Sequence, residues 1–106
     1  MLERRPDLTN GKVAVTFRLP AAAGATAAWV AGDWNGWSKD HDPMRPGATG
    51  ELECTLLLAP GRSYRFRYYL GGGRWENDWD ADAYVENEFG GADSVVTLEP
   101  PVTPPA

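Results

Sequence analysis

Hydrophobic and polar positions alternate with period two along much of the chain. In KVAVTFRL (residues 12–19), Val13, Val15, Phe17 and Leu19 alternate with Lys12, Ala14, Thr16 and Arg18, the pattern of a half-buried strand. ELECTLLL (51–58) repeats it and turns Leu52, Cys54, Leu56 and Leu58 inward. YRFRYYL (64–70) places Tyr64, Phe66, Tyr68 and Leu70 on one face and Arg65, Arg67 and Tyr69 on the other. Ala28–Ala31 reads as a short strand stopped at Gly32, and SVVTLE (94–99) as the last strand. Pro60-Gly61 marks a turn, and Gly71–Gly73 a hairpin tip with Trp75 just beyond it. AAAGATAA (21–28) is made of helix formers, but Pro20 and Gly24 interrupt it, so it reads as a loop. Short strands punctuated by Gly and Pro predict an all-β fold, an antiparallel β-sandwich.

The two ends depart from this pattern. Residues 1–11 are polar and close on an Asn10-Gly11 turn signal, so they are expected to form a flexible N-terminal segment. PPVTPPA (100–106) has no apolar face to pack and is expected to be a Pro-rich disordered tail. The folded domain is then expected over residues 12–99 of the 106, the size of one sandwich.

Composition narrows the function classes. A net charge of −5 argues against nucleic acid as a partner, because that class uses a basic surface. One cysteine, Cys54, permits no internal disulfide, and its place on the apolar face marks it as a packed thiol. The N-terminus shows no secretory h-region, and the longest low-polarity run, Ala21–Gly32, is shorter than the ~18 residues of a membrane span. A cytoplasmic protein with no membrane partner is the expectation.

Candidate catalytic chemistry finds little support. His41 is the single histidine and lies between Asp40 and Asp42 in a polar loop, where solvation is the simplest reading. The triple glycine lacks the Lys-Ser/Thr of a phosphate loop. Asp78, Asp80 and Asp82 alternate as in a calcium loop, but the positions requiring Gly and Glu hold Ala83 and Phe89. A glycosidase carboxylate pair would need a deep cleft that a domain of this size does not obviously provide. No catalysis, metal or cofactor is expected. Charge is uneven, with four arginines and no acid in residues 62–74, then seven acids and no base in 76–93. Weak neutralisation between neighbouring strands would account for that.

One constellation survives. Sugars present flat apolar C–H faces and rims of hydroxyls, so a glycan site needs exposed aromatic rings and charged or amide groups around them. Trp37 follows an Asn35-Gly36 turn, Trp75 follows the glycine tip, and Arg65 and Arg67 lie on the polar face of the strand between. Spacing alone leaves each ring divided between a surface role and capping the core.

The segments VAGDWNGWSKD (30–40), YRFRYYLGGGRWENDW (64–79) and NEFGGADSVVTL (87–98) occur in the order, and with the motifs, of carbohydrate-binding module family 48, which the chain resembles over residues 12–98. That family includes a glycogen-binding domain of a protein kinase and the early-set N-terminal domains of isoamylases. The resemblance implies an immunoglobulin-like early-set sandwich that binds α-glucan such as glycogen or starch without catalysis. By this likeness Trp37 and Trp75 are the stacking rings and Arg67 the basic residue that bonds sugar hydroxyls. Phe89 is an apolar residue inserted against the sugar, Asp93 stands where a hydroxyl-binding Asn is usual, and Trp34 is a core aromatic. The chain also departs from the family. Asp93 accepts but does not donate when ionised. Gly71 replaces an Asp in a hairpin one residue longer than in the kinase domain, and Gly91 lacks a hydroxyl found in some members. Trp29 and Trp79 match no family role and read as structural. The alternative is a protein-interaction or scaffolding domain, since a fold does not fix function. The geometric expectation is that Trp34 is buried, Trp37 is exposed, and Trp75 and Arg67 share the surface of Trp37.

Overall fold

The structure, a computed structural model, describes residues 2–7, 11–88 and 90–98. It is all-β, built of two antiparallel sheets. Strands β1 (Leu2–Asp7), β2 (Lys12–Leu19), β4 (Arg45–Pro46) and β5 (Leu52–Leu58) form one sheet in the order β1-β2-β5-β4. Strands β3 (Trp29–Gly32), β6 (Arg62–Gly71), β8 (Ala83–Glu86) and β9 (Ala92–Leu98) form the other in the order β3-β6-β9-β8, with β7 (Arg74–Glu76) hairpinned onto the end of β6. Among the described residues no helix is long and apolar enough to cross a membrane.

The alternating residues do what their period requires. Val15, Phe17 and Leu19 of β2, with Leu52 and Leu58 of β5, meet Val30, Tyr64, Phe66, Tyr68, Val96 and Leu98 of the second sheet in one shared core. Cys54 and Leu56 pack against its margin. Two polar tips inside this core are satisfied. The Tyr64 hydroxyl donates to Ala59 O at 2.8 Å and pins the Pro60-Gly61 turn. The Tyr68 hydroxyl donates to the buried Asp78 carboxylate at 2.5 Å. Burial, then the neighbouring Asp78 charge, pushes the Tyr68 phenol well above its ordinary pKa, so it stays a donor.

The structure adds to the sequence reading in three places. Within the expected N-terminal segment, Leu2–Asp7 is a strand that pairs residue by residue with β2, from Leu2 opposite Phe17 to Asp7 opposite Lys12. Its own sequence carries no strand pattern. The open edge of β2 supplies the backbone partners, Arg4 pairs with Asp82, and Glu3 accepts from Arg18 at 2.9 Å. The loop over 21–28 contains a single 3-10 turn at Ala21–Ala23, closed by Gly24 in the left-handed region. Strand β8 and the two-residue β4 were not legible, being too short or too exposed to show a period. Asn10 and the expected tail 100–106 lie outside the described residues.

Candidate functional site

The turn after β3 is built around Asn35. Its carbonyl oxygen accepts from Gly32 N at 3.0 Å and Ser38 N at 3.2 Å, and its amide donates to Val30 O at 2.9 Å and Asp42 Oδ2 at 2.7 Å. A side chain that closes four bonds fixes the loop as firmly as regular secondary structure would. Gly32 is demanded by contact: a Cβ there would lie 2.5 Å from the Trp34 ring and 2.8 Å from Arg65 O.

Trp34 lies on the core side of this turn. Its ring stacks on Phe17 at 5.4 Å and meets Tyr64 edge-on at 6.0 Å, while Nε1 donates to Asp42 Oδ2 at 3.0 Å. It is half-buried rather than fully buried, so it roofs the core instead of plugging it. Gly36 and Trp37 then take left-handed backbone, φ 66° and 61°, which turns Trp37 away from Trp34. Trp37 is the only non-glycine residue with positive φ among the described residues. For a bulky side chain that conformation is strained and calls for a compensating reason. Trp37 is half-buried where full exposure was expected, and its Nε1 donates to Asp33 Oδ1 at 3.2 Å. The other Asp33 oxygen accepts from Arg65 N at 2.8 Å, so Asp33 orients the indole and ties the turn to β6.

Arg67 projects from β6 on the same side. Its Nε and Nη2 both donate to Ala92 O, at 3.0 and 2.6 Å, and Nε lies 3.1 Å from Asp93 Oδ1. Asn87 also donates to that oxygen at 3.1 Å, whereas Arg65 stands 3.9 Å from Asp93 Oδ2. Gly91 makes room for this arrangement, since a Cβ there would come within 2.9 Å of Arg67 Nη2. The absent side chain at residue 91 therefore has a steric role of its own. Trp75, from β7, lies against Tyr69 with ring centroids 4.8 Å apart.

These elements enclose an open groove of about 760 Å³. Trp37 and Trp75 line it together with Arg65, Arg67 and Asp93, and Asp33, Glu86, Asn87 and Glu88 complete its wall. Four of the five residues singled out in the sequence, Trp37, Arg67, Trp75 and Asp93, are thus brought to one surface. Phe89, the fifth, lies outside the described residues. Asp93 is placed differently from a residue reaching outward. It is 7% exposed and its Oδ1 is engaged by Arg67 and Asn87, which makes it first of all the anchor of the arginine. Sequence reasoning missed Asp33 and Asn87. The position of Asp33, four residues before Trp37 across a turn, was the available signal for the first. Asn87 had none.

The remaining candidates separate. His41 is exposed and its Nδ1 faces Asp42 Oδ1 at 3.1 Å. Asp78 points into the core, whereas Asp82 accepts from Thr97 N and pairs with Arg4. Among the described residues no three His, Cys, Asp or Glu side chains gather as a metal site would require. Cys54 is half-buried, and burial, with the nearby Asp42 charge, pushes its thiol up to about 11. Trp79 is 53% exposed and its Nε1 donates to Glu76 Oε1 at 3.1 Å, while Asp78, Ser94 and Tyr84 supply the other bonds that hold the acidic loop.

The fold and the groove define an all-β protein of two antiparallel sheets with an aromatic and charged cleft on the outer face of one of them. No family model matches the chain, and no curated protein matches it.

Proposed function

We propose that this chain is a non-catalytic α-glucan-binding module of the carbohydrate-binding module family 48 type, with the immunoglobulin-like early-set form of the sandwich. The observation that carries the reading is the convergence of Trp37, Arg67 and Trp75, which lie in three separate segments, on one groove. Each ring offers an apolar face to the C–H face of a glucose unit. Arg67, held from behind by Ala92 O and Asp93, presents the rest of its guanidinium to sugar hydroxyls. The left-handed strain at Trp37 fits a ring held where a ligand needs it. Two stacks and about three hydrogen bonds, at roughly 1 kcal/mol each, total ~5 kcal/mol before ordering costs, which corresponds to a Kd of ~0.2 mM or weaker.

The test is calorimetric titration with β-cyclodextrin and glycogen, using wild type and the Trp37→Ala/Trp75→Ala double variant. Binding by wild type and its loss in a folded double variant is the expected result. A folded double variant that binds as well as wild type would sink the site. The scaffolding alternative has its own observation in Trp79 and Tyr84, 53% and 49% exposed beside the edge strand β8. It gains if wild type binds neither sugar.

A further inference from the structure

We infer that the glucan site extends beyond the groove along a row of three aromatic rings, Trp75, Tyr69 and Trp29, which would hold further sugar units of a longer chain. This extension rests on the glucan-binding reading above. The row is set by strand register: Trp29 of β3 stands opposite Tyr69 of β6, which stands opposite Trp75 of β7. Ring centroids are 6.2 Å and 4.8 Å apart along it, and the rings are tilted by 43° and 57°. The neighbours Val30 and Tyr68 are fully buried, so period two turns Trp29 and Tyr69 to the outer face. Trp75 belongs to both the groove and the row, which makes the two surfaces continuous.

One feature leaves the row uncovered, and a second shows that a positively polarised group fits its faces. The hairpin tip is three glycines in the left-handed region, and a Cβ at Gly72 or Gly73 would meet nothing within 4 Å. A tip without side chains casts no cover over the rings. Gly73 N donates to the Tyr69 hydroxyl at 3.1 Å, so the tip holds the middle ring by its edge. Second, the Lys39 ammonium sits 5.2 Å from the Tyr69 centroid and 5.8 Å from that of Trp75. A cation reaches these faces from the solvent side, drawn by their negative quadrupole. The C–H face of a sugar carries the same sign of partial charge and can take that place.

A purely structural row would only brace β3, β6 and β7 against one another, and its loss would not depend on ligand length. The experiment is therefore calorimetric titration of the full chain with maltotriose and with maltoheptaose. Trp29→Val is expected to weaken maltoheptaose about five- to tenfold and to leave maltotriose within about twofold of wild type. Trp29→Phe, which keeps a ring in place, is expected to restore maltoheptaose binding to within about twofold. Thermal unfolding establishes that each variant is folded. Equal losses for both sugars, or no loss for either, overturns the extension while leaving the groove intact. Failure of wild type to bind either sugar overturns the glucan reading and the extension with it.

Discussion

Trp34 and Trp37 lie three residues apart, and their replacement should have opposite consequences. Consider Trp37→Gly first. The native backbone at this position is left-handed, φ 61°, which costs a side-chain-bearing residue about 1–2 kcal/mol. Glycine removes that cost but returns roughly 0.5–1 kcal/mol through its greater freedom in the unfolded chain. The exposed hydrogen bond from Nε1 to Asp33, 3.2 Å long, is worth about 0.5–1 kcal/mol. These contributions nearly cancel, which leaves the packing of the half-buried ring, so folding stability should fall by less than about 2 kcal/mol. Binding should fall at least tenfold, because one of two stacking faces is gone. Trp34→Ala removes a ring packed on Phe17, Tyr64 and Phe66 together with a donor to Asp42. For a half-buried tryptophan this should cost about 2–4 kcal/mol. Urea unfolding measures the first quantity and calorimetric titration with β-cyclodextrin the second. Loss of more than about 2 kcal/mol in Trp37→Gly, or unimpaired binding by that variant, would refute the assignment of strain to function.

The other expectations concern the support of the site. Gly91→Ala should displace the Arg67 guanidinium, since the new Cβ would fall 2.9 Å from Nη2; a stability loss of about 1 kcal/mol with weaker glucan binding is expected, read by urea unfolding and calorimetry. Cys54 should resist a thiol reagent at pH 8 until the protein is unfolded, because burial raises its thiol to about 11. Asp42 gives the pH dependence. Burial opposes its ionisation, but hydrogen bonds from Asn35, Trp34 and His41 outweigh this and hold its carboxyl below the usual 3.8. A depressed native pKa contributes stability that is complete above the unfolded value and lost as pH falls through the native one. The stability of wild type, read by urea unfolding, should therefore fall below about pH 4, and Asp42→Asn should show a shallower decline over that range.

How much of the site was legible follows from what each signal encodes. The turn VAGDWNGW carries its own instructions: a glycine where the Trp34 ring passes, an asparagine that closes four bonds, and a glycine before Trp37 that begins the left-handed reversal. These are mostly local in sequence, so the turn itself was legible, although spacing alone left its two rings divided between surface and core. Asp33 was overlooked although it is equally local, because its second partner, Arg65 N, comes from another strand. Asp93 was read as a hydroxyl-binding residue from the family resemblance, which gives a position its capacity and not its surroundings. Burial and the approach of Arg67 and Asn87 commit one of its oxygens to the protein.

By itself the sequence determined which face of β2, β5 and β6 turns inward, since period two leaves a strand only two choices and burial selects the apolar one. It also determined that Arg67 and Tyr69 point outward beside each other. Only the tertiary structure decided which strands are neighbours. The pairing of β6 with β3 on one side and with β7 and β9 on the other brings Trp37, Trp75 and Asp93 around Arg67 and aligns Trp29, Tyr69 and Trp75 in a row. The same long-range pairing makes a strand of Leu2–Asp7, whose own residues specify none. Strand propensity is weak and satisfied by whatever edge is offered, so these outcomes belong to the partner strand and not to the segment.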